Sequence, residues 1–351
     1  MSKRDQFWDC VRGVAILLVV ATHYIGGVNP VSKCTSFAEV VTSFMRQVAC
    51  YGVPLFVFMA GYFVRIEKAA GEHWMRDFIW PKAKRILIPY FIWSLLTILR
   101  WRPASLLDVG NFLYRDLLLG YGIGIGYYIT LLLQLIVITP LLVRALRKSV
   151  RLTVAVAVAL NLCGDALFYL AANRVIGSLG LSVPVPFPGI FFVMWILPYT
   201  IGLAFRMFEG TVDKFFKAIP LRYLSCALVV AFMAQLAESN LVDRFIGVEQ
   251  YRISVLAVVL VLCVSLFCIR KRMKASAMVA RLGEVSFLVY LTHMQMLIYF
   301  WAADQHGFWM SRKNPIAVFA VLIFALVGYT LLGKMVNHFL AVKWRKLLAF
   351  S

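Results

Sequence analysis

Acidic side chains are scarce in this sequence: 16 Asp and Glu stand against 36 Lys and Arg in 351 residues, and charged residues of both signs make up only 15%. So few charges cannot cover a water-facing exterior, which excludes an ordinary soluble domain. Metal-ligand and disulfide patterns are missing as well. The seven cysteines, Cys10, Cys34, Cys50, Cys163, Cys226, Cys263 and Cys268, lie mostly within apolar segments and have neither zinc-type spacing nor a paired extracellular framework. Most read as small buried hydrophobes, and no metal is expected. No internal repeat or inverted duplication of the kind found in many secondary transporters is visible. Nor is there a long linker or a soluble segment, so residues 1–351 read as one membrane domain.

What the sequence has in abundance is apolar length. Hydrophobic residues reach 62% and mean hydropathy is +0.83. Runs close to the roughly 20 residues that span a bilayer recur from end to end. Apolar length read against charged and Gly/Pro punctuation predicts helices at about 9–28, 40–64, 87–101, 127–143, 152–172, 190–206, 223–238, 251–269, 285–302 and 315–336. The expected class is therefore all-α, a polytopic membrane protein with about ten transmembrane helices. Lys3 and Arg4 ahead of an apolar run imitate a signal peptide, but no convincing small-residue cleavage site follows, and the segment is kept as the first helix.

The formal charge of +20 would suggest nucleic acid in a soluble protein. Here the bases sit in short loops. Ten crossings put both termini on one side, and that side then holds 26 of the 36 Lys and Arg. By the positive-inside rule both termini are cytoplasmic; the expected location is the cell inner (plasma) membrane, with lipids as neighbours and no nucleic-acid partner. The third predicted helix is short and ends at Arg100-Trp-Arg102. The sixth starts after Pro184-Val-Pro186-Phe-Pro188, and either is a candidate for a short or re-entrant segment. The glycine-rich segment 102–126 reads as the longest outward loop, a place for acceptor contacts or simply loose packing.

Polar residues inside apolar helices are the candidates for chemistry. Arg12 and His23 are 11 positions apart in the first helix, which puts them within about 20° of one face and about 16 Å apart along the axis. Asp9, three residues before Arg12, is its nearest ion-pair candidate. Taken alone, Arg12 is also explained as a topogenic interfacial charge. A neutral imidazole needs a partner for each ring nitrogen, and His23 suits a general base or an acyl-accepting nucleophile as well as a structural role at the outer interface. Arg46, in the outer half of the second helix, either binds an acceptor or pairs with Glu39 or Asp165. His293, near the middle of the ninth helix, lines the site or is a satisfied bundle histidine. Asn161 and Asp165 share a face of the fifth helix, with Arg174 as a second possible partner for the carboxylate. His73, His306 and His338 are assigned nothing.

Three stretches share an order and spacing that cover nearly the whole chain. They are Asp9-x-x-Arg12-Gly-x-Ala-Ile with His23, Gly52-Val-Pro-Leu-Phe56-Val-Phe-Met-Ala-Gly61-Tyr62, and Leu282-Gly-Glu-Val-Ser286-Phe-Leu-Val-Tyr290-Leu-Thr-His293. Weaker echoes are Arg85-Ile-Leu-Ile-Pro89-Tyr90 and Tyr127-Tyr-Ile-Thr-Leu ahead of Pro140. Together they resemble the acyltransferase-3 family of membrane O-acyltransferases. Ala60, Tyr127 or Tyr128, and Thr292 depart from the family pattern, where Ser, Trp and an aromatic residue are usual.

The resemblance implies an enzyme: an O-acetyltransferase taking an acyl group, usually acetyl, from cytoplasmic acyl-CoA to a hydroxyl of a cell-surface polysaccharide or lipid-linked glycan precursor. Acyl-CoA is then a co-substrate, with no permanently bound cofactor. His23 and Arg12 are the implied catalytic pair, with Arg12 orienting the donor and His23 working at the acyl carbonyl. Arg46 and His293 are the implied substrate-binding residues, joined by Arg85 as the one residue singled out of the basic loop 65–88, which meets coenzyme phosphates or carries ordinary positive-inside charge. Thioester transfer needs a base and oxyanion stabilisation, chemistry these residue types supply. The competing reading is a transporter or flippase for such a glycan, with the buried Arg and His binding cargo.

Overall fold

The computed structural model describes residues 5–26, 31–101, 110, 114, 117, 123, 125–172, 188–217, 219–242, 249–304, 311 and 313–339, and among them no strand occurs. Most of the loop expected at 102–126, together with Arg174 and His306, lies outside the described residues. Helix α1 runs Gln6–Ile25. Asp5 starts it by accepting the Phe7 N–H at 3.0 Å, and Gly26, at φ 64°, ends it in the left-handed region that favours glycine.

The second predicted helix is broken. It consists of α2 (Phe37–Ala49) and α3 (Gly52–Tyr62), interrupted at Cys50-Tyr51. Pro54 lies just beyond the interruption and has no N–H to leave unsatisfied there. After the short α4 (Ile66–Ala70) and a π-turn at Met75–Ile79, α5 covers Trp80–Trp101, 22 residues instead of the short helix expected at 87–101. Apolar-run counting misses its first turns because they are cationic. Lys82 and Lys84 lay their ammonium groups 4.7 Å from the Phe78 and Trp80 ring centroids, which keeps a basic helix end compatible with an apolar neighbourhood.

Next come α6 (Tyr127–Lys148) and α7 (Val150–Ala172), the former longer than the predicted 127–143. The segment after the proline cluster begins as 3-10 turns at Pro188–Ile190 and Phe192–Trp195 and becomes α-helical only at α8 (Ile196–Met207). Gln134 of α6 holds the turns in place: its amide donates to the Ile190 carbonyl at 2.7 Å and accepts from the Phe192 N–H at 3.2 Å. The chain continues through α9 (Glu209–Lys217), α10 (Leu221–Val242), α11 (Ile253–Ile269), α12 (Ala277–Glu284), α13 (Ser286–Asp304) and α14 (Pro315–Phe339). Helices α9 and α12 were not expected, since each is short and lies in a basic loop.

Six spans are long and apolar enough to cross a membrane: α1, α2 and α3 taken together, α6, α7, α10 and α14. Counting the pairs α8–α9, bent by 97°, and α12–α13, bent by 81°, raises the number to eight. Length and composition thus give six to eight spans among the described residues, against the ten or so expected.

Helix α1 is the axis of the bundle, packed against α2, α3, α12, α13 and α14. Two glycines set the crossing with its closest neighbour, α12. A methyl group on Gly283 of α12 would overlap the Asp9 carbonyl of α1, and one on Gly13 would overlap the Val279 carbonyl of α12. Gly61 of α3 and Gly202 of α8 make the same kind of crossing, against the Tyr199 and Phe58 carbonyls. Between apolar membrane helices there is little hydrophobic driving force, so close backbone approach at small residues supplies the packing.

Candidate active site

A cleft of about 330 Å³ opens beside the first turns of α1. Arg12 comes from α1; Phe56, Met59 and Ala60 come from α3 and Phe63 directly follows it; Lys82, Arg85 and Ile86 come from α5. Tyr128, Leu132 and Ile136 of α6, Tyr199 of α8, and Ser286, Phe287 and Tyr290 of α13 complete the wall. Every stretch that carried the family resemblance, including the two weaker echoes, thus contributes to one cavity.

Arg12 is held from two sides. Its guanidinium donates to the Asp9 carboxylate at 2.8 Å and lies 4.4 Å from the Phe63 ring centroid. Asp9 is 3% exposed and Arg12 28%, so the carboxylate is buried beneath an arginine that still reaches the cleft. This arrangement orients the cation toward the opening.

Arg85 joins the same cleft, accompanied by Lys82, which the sequence placed in the basic loop 65–88 without singling it out. Lys82 lies ahead of the apolar stretch of α5 that starts at Leu87. Burial, reinforced by the charges of Arg65 and Arg85, pulls its ammonium down to about 8. Three cations converging on one cavity form a site suited to phosphate groups.

The cleft floor is aromatic. Tyr128 and Tyr290 lie with ring centroids 5.4 Å apart, and the Tyr199 hydroxyl is 2.6 Å from that of Thr139. The Tyr290 hydroxyl donates to the Ile125 carbonyl. On the far side of Tyr290, with a ring-centroid distance of 6.3 Å, lies His293. His293 is fully buried, and its neighbour is His23: the two rings are 5.3 Å apart and tilted by 40°.

Arg46 belongs to this inner group. It is buried and donates to the Thr22 carbonyl, one residue before His23. That oxygen also receives the Gly26 N–H that ends α1. A cation there satisfies a terminal carbonyl and opposes the negative end of the helix dipole. Glu39, one partner expected for Arg46, accepts from the Thr35 N–H at 2.9 Å and meets Lys313 at 3.5 Å. Asp165, the other, accepts from the Asn161 amide at 3.1 Å, while the Asn161 oxygen faces the Leu197 N–H at 3.4 Å. This pair joins α7 to α8.

The five predicted site residues thus fall into two groups. Arg12 and Arg85 line the cleft; His23, His293 and Arg46 cluster beyond its tyrosine floor. Sequence reasoning also missed Arg252, 1% exposed at the start of α11, whose guanidinium donates to Gln47 at 3.2 Å. Gln47 in turn bonds Ser239 and accepts from Gln235, a buried network that fixes α2, and with it Arg46, against α10 and α11. Arg252 sat at a predicted helix boundary, where a charge attracts no notice. Among the described residues no three His, Cys, Asp or Glu side chains come together as metal ligands.

A helical membrane bundle whose paired histidines lie one tyrosine layer from a cationic cleft has the makings of a group-transfer enzyme. The sequence model of the acyltransferase domain matches residues 5–334, which makes the chain a membrane acyltransferase. It belongs to the acyltransferase-3 family of membrane O-acyltransferases. Comparisons with curated proteins and with solved structures return no match. Of the departures from the family pattern, Ala60 and Tyr128 face the cleft, whereas Thr292 bonds the Tyr329 hydroxyl at 2.9 Å and so packs α13 on α14.

Proposed function

We propose that the protein is an O-acetyltransferase of the inner (plasma) membrane that takes an acyl group from cytoplasmic acyl-CoA to a hydroxyl of a surface polysaccharide or lipid-linked glycan precursor. The observation that carries this reading is the order of groups along α1: cations Arg12, Lys82 and Arg85 around a cleft, then Tyr128 and Tyr290, then His293 and His23. In this reading the cations bind the coenzyme phosphates and the thioester-bearing arm runs up the cleft to the tyrosines. The acceptor hydroxyl arrives from the opposite side. His23 takes its proton as the oxygen bonds to the acyl carbon; the carbon–sulfur bond breaks, and the thiolate leaves with that proton as free CoA. Arg46 keeps the last turn of α1, and so His23, in place.

The test is mass spectrometry of surface glycans from cells with and without the gene, together with transfer by purified protein in nanodiscs from labelled acetyl-CoA. Loss of one acetyl mass increment in the deletion strain is expected, and His23→Ala is expected to abolish transfer at unchanged abundance. Identical glycan masses in the two strains would refute the proposal.

A further inference from the structure

His293 has one ring nitrogen tied down and one bare. Its Nδ1 lies 2.9 Å from the Val289 carbonyl and 3.0 Å from the Tyr290 carbonyl, both in its own helix. Carbonyl oxygens only accept, so Nδ1 carries the ring hydrogen. A neutral imidazole in that tautomer presents a lone pair at Nε2 and nothing else. That nitrogen is buried and has no hydrogen-bond partner among the described residues. A histidine retained only for packing would have no reason to keep a buried acceptor bare, because an unmet acceptor is costly.

The ring beside it is His23, at a centroid distance of 5.3 Å. Two imidazoles joined edge to edge by one N–H···N bond have centroids about 5 Å apart, given the usual donor–acceptor length. Face-to-face contact would be closer. No bond joins the two rings in this structure, but their spacing fits a shared hydrogen that a turn of the His23 ring would form, and the backbone carbonyls of α13 dictate that His293 is the ring that accepts it.

We propose that His293 is the positioning residue of the transfer: its fixed Nε2 lone pair accepts the N–H of His23, which leaves the other His23 nitrogen bare and aimed at the acceptor hydroxyl. The proposal rests on the function assigned above and adds the residue that selects the working tautomer of its base. The hydrogen between the two rings stays in place throughout. The hydroxyl proton goes to the free nitrogen of His23 and from there to the departing sulfur, so His293 gains and loses nothing over a cycle. Partners that fix the tautomer of a metal-bound histidine contribute about 10- to 100-fold, and an effect of the same order is expected here.

The experiment uses the full chain in nanodiscs, radiolabelled acetyl-CoA and lipid-linked glycans extracted from host membranes, and it compares His293→Met with His293→Gln. Both keep the bulk of the ring, but only glutamine returns an acceptor near the position of Nε2. His293→Met is expected to lose about 10- to 100-fold in kcat with KM for acetyl-CoA within twofold of wild type. His293→Gln is expected to recover to within about threefold of wild type. A His293→Met enzyme within twofold of wild-type kcat, or a His293→Gln enzyme as slow as His293→Met, overturns the proposal. His23→Ala in the same assay separates the two levels. If it stays active, the functional reading of His23 falls; if it is silent while His293→Met is normal, only the positioning role falls.

Discussion

Replacing Gly283 by alanine adds a single methyl group where α12 crosses α1, and the structure gives its cost. The new carbon would stand 2.8 Å from the Asp9 carbonyl carbon and 3.0 Å from the Gly13 nitrogen, with the Asp9 oxygen closer still. Non-bonded carbons are comfortable at about 3.5–4.0 Å, so the two helices must separate by close to ~1 Å at the crossing. All three obstacles are backbone atoms, and no side chain can rotate out of the way. Overpacking of this kind costs about 1–3 kcal/mol, and the rigidity of both partners places Gly283 at the upper end. The better helix propensity of alanine returns about 1 kcal/mol, which leaves a net loss near ~2 kcal/mol. For a chain of this size that corresponds to a fall of about 3 °C in the unfolding midpoint. Donor binding should weaken as well, because Asp9 orients Arg12 and Ser286 follows Gly283 by three residues into the same cleft.

Tryptophan-fluorescence melting in nanodiscs reads the stability, and KM for acetyl-CoA reads the cleft. Gly328→Ala is the control, since a methyl group there meets nothing within 4 Å, and it should melt at or slightly above wild type. Gly13→Ala should resemble Gly283→Ala, and the double variant should cost less than the sum, because one separation of the helices relieves both overlaps. A Gly283→Ala protein that melts within 1 °C of the Gly328→Ala control would refute the reasoning.

Three further outcomes are expected. Asp9→Asn removes the charge from the bond that holds Arg12; with Arg12 partly exposed, about 1.5 kcal/mol is lost, seen as a roughly tenfold rise in KM for acetyl-CoA at little changed kcat. A phosphate contact made by Lys82 exists only while the amine is protonated, so it is fully present below pH 7 and lost as pH rises through about 8. KM for the donor should therefore climb above pH 8 in wild type but not in Lys82→Met, and a wild-type KM that is flat to pH 9.5 would rule that contact out. Arg46→Met removes the charged one of the two donors to the Thr22 carbonyl and leaves the Gly26 N–H, so the unfolding midpoint should drop by about 2–4 °C along with kcat. If Arg46 instead contacts the acceptor directly, acceptor KM rises while the midpoint holds.

The class and the shared helix face of Arg12 and His23 were legible in the sequence because they follow from quantities a single strand of letters carries. Scarce charge and recurrent apolar length imply membrane helices, and the spacing of Arg12 and His23 follows from helical periodicity alone. Helix α12 escaped notice because eight residues in a basic loop generate no apolar run, although its Gly283 is the closest neighbour of α1. The first turns of α5 were missed for a related reason: Lys82, Lys84 and Arg85 look like loop charge until aromatic rings beneath two of them are seen. The approach of His23 to His293 joins opposite ends of the chain, and no local pattern encodes it. The family motif glycines Gly13, Gly61 and Gly283 appear in the sequence as unexplained letters and in the structure as helix crossings.

The tyrosine floor of the cleft has a consequence for the cell's energetics. A bilayer that stores an ion gradient tolerates no continuous water column through a protein, and a chain of polar groups from one face to the other would invite one. Tyr128 and Tyr290 meet across the cavity, with the Tyr290 hydroxyl already spent on a backbone oxygen. Under the proposed function, such a layer would let a small group be handed across without opening a path for protons and ions, and the membrane would stay an electrical insulator during turnover.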